Sequence, residues 1–165
     1  MALRELRFLG DPVLRAAAAP VDAVDDEVRR LIADMFDTMY AEEGVGLAAP
    51  QVGIGQRIIV VDARDEDVAP FALINPEIVA ASEDVDRAEE GCLSIPGLTE
   101  VVERSVAVQV RALDGEGRDL VVDAEGLLAR ILQHEVDHIN GILFIDRVSA
   151  LKRKLLLNRW QKVKP

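Results

Sequence analysis

The window His134-Glu135-Val136-Asp137-His138 holds both histidines of the chain and leaves little freedom in how it can fold. Two imidazoles four residues apart share a face on an α-helix, where they can converge on one cation while the glutamate after the first leans toward the remaining coordination space. Leu127 and Ile131 lead into His134 and His138 at helical spacing, so the histidines continue a stripe that faces the core. Buried imidazoles without partners would each cost about 1–3 kcal/mol in lost hydration, and a shared metal ion removes that cost. The chain must therefore bury a metal-bearing helix. Taken alone, the motif suggests a metalloprotease.

The rest of the sequence describes what surrounds that helix. Over 25–41, Val28, Leu31, Ile32, Met35 and Met39 recur at helical spacing, and the pattern ends before Gly44 and Gly46. The stretch 44–53 is small, apolar and glycine-punctuated, which predicts a loop in close approach to another part of the chain. From 57 to 122, β-branched runs such as Ile58-Ile59-Val60-Val61 and Val106-Ala107-Val108-Gln109-Val110 alternate with turn signals. Asn75-Pro76, Ile95-Pro96-Gly97 and Asp114-Gly115-Glu116-Gly117 are expected to bound strands in an antiparallel arrangement. The histidine helix is expected over 124–140, with Asp123 as N-cap, Glu125 in the first turn and Asn140-Gly141 as the stop. A last helix is expected over 149–163, with Leu151, Leu155 and Leu156 available for packing.

The predicted fold class is α+β: mostly antiparallel β-sheets packed around the central histidine-bearing helix, with one N-terminal and one C-terminal helix, in a single domain spanning 1–165. Half of the residues are hydrophobic but only 4% are aromatic, so the core must be built from Val, Leu, Ile and Ala. The lone cysteine, Cys92, excludes an intramolecular disulfide and suits a reducing compartment. No run reaches membrane-spanning length, so a cytoplasmic protein with no membrane partner is expected.

A catalytic metal wants three protein ligands and an open position. Cys92, within Glu90-Gly91-Cys92-Leu93-Ser94, is the one further soft ligand available. Three segments then stand in order: Gly44-Val45-Gly46-Leu47-Ala48-Ala49-Pro50-Gln51, Glu90-Gly91-Cys92-Leu93-Ser94, and Gln133-His134-Glu135-Val136-Asp137-His138. Together they resemble the three motifs of peptide deformylase, GxGxAAxQ, EGCLS and HExxH, and the resemblance extends over nearly the whole chain.

That resemblance implies a hydrolase that removes the formyl group from the N-terminal formylmethionine of nascent polypeptides, releasing formate. It implies Cys92, His134 and His138 as metal ligands, with Glu135 as the proton carrier. The side-chain amide of Gln51 and the backbone N–H of Leu93 would be the donors to the developing oxyanion. Iron(II) is the physiological ion it implies, with zinc, nickel or cobalt as other occupants, since a Cys-His-His set suits all four.

The methionine pocket is expected to involve Gly46, Leu127, Ile131, the faces of His134, and Arg130, the last with its stem packed and its guanidinium meeting peptide backbone. Some members of the family carry an aliphatic residue at the position of Arg130, and an arginine where this chain has Gly97-Leu98-Thr99. Arg104 and Glu90 are expected as a supporting pair beside the metal. Net charge is −11, yet 147–165 holds seven cations and no acid, so residues 1–146 carry −18. This basic tail is read either as a solvated helix end or as a contact with a polyanion such as ribosomal RNA.

Overall fold

The structure, a computed structural model, describes residues 2–165. Helix α1 covers Asp26–Ala41, with the Asp25 carboxylate capping the Val28 N–H and Asp26 and Glu27 in its first turn. Seven strands follow: β1 (Gly46–Ala48), β2 (Ile58–Val61), β3 (Phe71–Ala81), β4 (Val85–Gly91), β5 (Thr99–Ser105), β6 (Ala107–Leu113) and β7 (Asp119–Glu125). Helix α2 spans Gly126–Ile139 and α3 spans Ala150–Val163. The strands form a five-stranded sheet in the order β1-β2-β3-β6-β7 and a separate hairpin, β4-β5, and every neighbouring pair is antiparallel.

The five-stranded sheet is covered on both faces around β2. All four residues of β2 are buried, Ile58 and Val60 toward α1 and Ile59 and Val61 toward α2. Val28, Leu31, Met35 and Met39 of α1 close one face, while Ala129, Leu132, Val136 and Ile139 of α2 close the other. Each such aliphatic side chain contributes about 1.5–3 kcal/mol through burial, and this holds α2 in a fixed rotation against the sheet. A third cluster fastens the β4-β5 hairpin to α3 through Ile95, Leu98, Val102, Phe144, Leu156 and Trp160. Helix α2 is thus wedged between sheet and hairpin, and its histidine face looks toward the hairpin. Among the described residues, no helix is long and apolar enough to cross a membrane.

Several local expectations are corrected. Asp123 does not cap α2. It pairs with Gln109 inside β7, which continues through Glu125, and the helix begins one residue later at Gly126, whose φ of +61° makes the corner. Sheet pairing outweighs the capping preference of an aspartate. Asn75-Pro76 does not end a strand. It sits within β3 at an irregularity in pairing with β6, where Asn75 takes φ +54° and its side-chain amide bonds Val21 N–H and C=O. Leu151 and Leu155 of α3 are exposed; Leu156 and Trp160 do the packing. The stretch 44–53 contains β1 and a 3-10 turn in addition to loop.

Candidate active site

Cys92 enters the site from the turn after β4, and the two histidines enter from α2. His138 Nε2 lies 3.3 Å from Cys92 Sγ and 3.2 Å from His134 Nε2. These separations are within a few tenths of an ångström of the roughly 3.4–3.6 Å edges of a tetrahedral site with bonds of about 2.0–2.3 Å. Both histidines are buried. All three donor atoms lie within 4.8 Å of one another, with both imidazoles buried and Cys92 half-buried at the cavity, an arrangement that one divalent cation satisfies. The residues present fit a single ion.

The orientation of His134 is imposed from behind. Its Nδ1 lies 2.9 Å from Glu90 Oε1, so Nδ1–H donates to the carboxylate and the Nε2 lone pair is left for the cation. Burial alone would raise the Glu90 pKa, but Arg104 and His134 hold it well below the usual carboxylate range. Arg104 grips Glu90 through Nε and Nη2, both at 2.9 Å, and reaches Asp137 with Nη1 at 2.7 Å. Arg147 binds the same Asp137 from outside. The expected pair of Arg104 and Glu90 is present, and it belongs to a larger buried ionic network.

Glu135 follows His134 on the helix and is also buried, with Oε1 lacking any hydrogen-bond partner among the described residues. Burial pushes its pKa up to about 7, with His134 pulling the other way. Gly46 is what lets this carboxylate sit where it does: a Cβ there would fall 2.6 Å from Glu135 Oε2. The predicted close approach of the glycine loop is therefore made against the acid itself.

Gln51 is held from both ends. Its Oε1 accepts from the Ala48 N–H at 2.9 Å, which directs Nε2 toward Ser94 Oγ at 3.2 Å and Cys92 Sγ at 3.6 Å. The Leu93 N–H follows directly on Cys92 and makes no hydrogen bond within the described residues. Beside these groups opens a cavity of about 530 Å³, whose border includes Gly46, Leu93, Leu127, Arg130, Ile131 and His134. Leu127 is exposed at the edge, whereas Ile131 is buried.

The sequence pattern of the family described as polypeptide deformylase matches residues 3–154. The chain belongs to the polypeptide deformylase family. A peptide deformylase of Rhizobium meliloti is 48% identical, with 98% of this chain and 94% of that one aligned, and one of Natranaerobius thermophilus is 50% identical over 93% and 97%. A solved peptide deformylase of Synechococcus elongatus, in complex with actinonin, superposes with a TM-score of 0.90 at 47% identity, covering 98% of this chain and 92% of that one.

Within this deformylase fold one expectation is redirected. The Arg130 guanidinium does not stand free for a peptide backbone: Nη1 bonds Glu90 Oε2 at 2.6 Å and the Val102 carbonyl at 2.9 Å, and Nη2 bonds Asp86 Oδ1 at 2.7 Å. Asp137 and Asp86 were missed altogether. For Asp137 a signal existed, since an acidic residue on a helix stripe that also buries two histidines requires a cationic partner. For Asp86 none did, because the alternation of β4 presents it as an ordinary exposed strand residue.

Proposed function

We propose that this site performs amide hydrolysis at formylated N-termini with Cys92, His134 and His138 holding one iron(II) ion. The chain is an enzyme of the deformylase family and removes the N-terminal formyl group from the formylmethionine of nascent polypeptides, releasing formate. The observation that carries the assignment of roles is the convergence of Cys92 Sγ and the two Nε2 atoms next to a buried, unpaired Glu135 oxygen.

A bound divalent ion would acidify a water molecule and polarise the formyl oxygen. Glu135 takes a proton from the attacking water as the new C–O bond forms at the formyl carbon, and delivers it to the departing amine as the C–N bond breaks. The Gln51 Nε2–H and the Leu93 N–H donate to the oxygen that becomes negative, and because Ala48 fixes the amide no reorganisation is needed at that moment. Gly46, Leu127, Ile131 and the stem of Arg130 line the space for the unbranched methionine side chain.

A Cys-His-His set accepts zinc, nickel or cobalt as well as iron, so any of them can occupy the protein after purification. The chain acts in the cytoplasm as one domain over 1–165. The cations of α3 and its flanks offer a contact to ribosomal RNA near emerging chains; Lys152, Lys154 and Arg159 are exposed there.

Incubation with formyl-Met-Ala-Ser tests the reading. Formate and free Met-Ala-Ser are the expected products. Cleavage at the Met–Ala bond would replace this reading with an endopeptidase, the other enzyme that a HExxH helix supports.

A further inference from the structure

The three ligands reach the site on two separate limbs. Cys92 arrives on the β4-β5 hairpin, and His134 and His138 arrive on α2, so the affinity of the centre depends on how rigidly hairpin and helix are held together. Arg130 lies on α2, one turn before His134, and its donors run to the hairpin. Nη1 reaches Glu90 Oε2 at 2.6 Å and the Val102 carbonyl at 2.9 Å, and Nη2 reaches the Asp86 carbonyl at 3.1 Å and Oδ1 at 2.7 Å. Asp86 and Glu90 belong to β4 and Val102 to β5, so one side chain spans both strands of the hairpin.

Glu90 is where this tether meets the metal ligand. Its Oε1 takes His134 Nδ1 and Arg104 Nη2, and its Oε2 takes Arg104 Nε and Arg130 Nη1, with all four contacts between 2.6 and 2.9 Å. Arg104 is shared with Asp137, so Arg130 supplies the further positive charge that lets the Glu90 carboxylate stay buried and oriented. Losing it would free one lone pair of Oε2 and break the links of α2 to Asp86 and Val102, loosening His134 relative to Cys92.

We propose that Arg130 is a positioning residue of the metal centre, acting on His134 through Glu90 and on Cys92 through the hairpin. This role rests on the ligand set proposed above.

The test is metal affinity measured without reference to turnover, by chelator competition for cobalt(II) on the full chain, with the thiolate charge-transfer band of the cobalt form as a second readout. Arg130→Leu should weaken cobalt binding roughly 10–100-fold, the range for residues that support a ligating histidine, and should shift the band. Arg130→Lys, which keeps a cation on Glu90, should recover most of the loss. In a Glu90→Gln background Arg130→Leu should cost less than in the wild-type background, because part of its route to His134 is already cut. An unchanged dissociation constant in Arg130→Leu, or the full penalty in both backgrounds, overturns the role while leaving the ligand set standing. A wild-type chain that binds no cobalt overturns both. If Glu90→Gln fails to fold, the comparison of Arg130→Leu with Arg130→Lys decides: equal losses in the two variants overturn the proposal.

Discussion

Replacing Gly46 by alanine adds one methyl group at the point where the glycine loop meets the Glu135 carboxylate. The new Cβ would lie 2.6 Å from Glu135 Oε2, 3.0 Å from Cγ and 3.1 Å from Cδ. The first distance is roughly 0.8 Å inside ordinary van der Waals contact. Because Cγ and Cδ are also crowded, turning the carboxylate alone does not relieve the clash, and the side chain must shift as a whole within a buried site. Displacing a reacting group by about 1 Å costs on the order of 10²-fold in rate. The expected loss in kcat for Gly46→Ala is therefore about 30–100-fold, equivalent to about 2–2.7 kcal/mol. The three atoms nearest the added methyl all belong to Glu135 and none to Cys92, His134 or His138, so metal content should stay at one ion per chain. Formate release at saturating formyl-Met-Ala-Ser, with metal determined on the same sample, measures both quantities. A kcat within threefold of the unmodified protein at full metal occupancy would refute the claim that the glycine exists to seat Glu135.

Two further outcomes follow from the structure. Glu135→Gln keeps the size of the side chain but removes its ability to carry a proton, so turnover should fall about 10²–10⁴-fold while metal analysis gives the wild-type content; loss of the ion along with activity would place Glu135 among the ligands instead. Asp146→Asn should destabilise the chain at neutral pH. Burial would raise the Asp146 pKa, but Arg15, the Leu143 N–H and Arg153 hold it below the usual value. A depressed folded-state pKa gives stability that is present above the unfolded value of about 3.9 and lost as pH falls through the folded one. The urea midpoints of Asp146→Asn and wild type should accordingly differ at pH 7 and draw together in acid, and a pH-independent gap would contradict the assignment.

How much of this was legible in the sequence depends on whether a residue's partner is local. Helix α1, the C-terminal end of α2, the turn at Ile95-Pro96-Gly97 and the hairpin turn at Asp114-Gly115-Glu116-Gly117 rest on spacing within a few residues, and the structure places them where spacing predicts. The convergence of Cys92 with His134 and His138 was anticipated from residue chemistry and family resemblance together. What stayed hidden was set by distant chain. The start of α2 is delayed because β7 continues pairing with β6 through Glu125. The Asn75 bulge is held by Val21, 54 residues away. The guanidinium of Arg130 turns from the substrate side to Glu90 because β4 brings a buried carboxylate within 2.6 Å, a fact of strand placement that no local pattern encodes.

If deformylation belongs to one ion held by Cys92, His134 and His138, activity must follow that ion. Formate release from formyl-Met-Ala-Ser should be followed on protein stripped with a chelator, and again as iron(II) or nickel(II) is returned in measured steps under nitrogen. The expected result is activity that falls to background in the stripped protein and rises in proportion to ion bound, reaching its limit at one per chain. Formate release that persists at full rate in the stripped protein would contradict it.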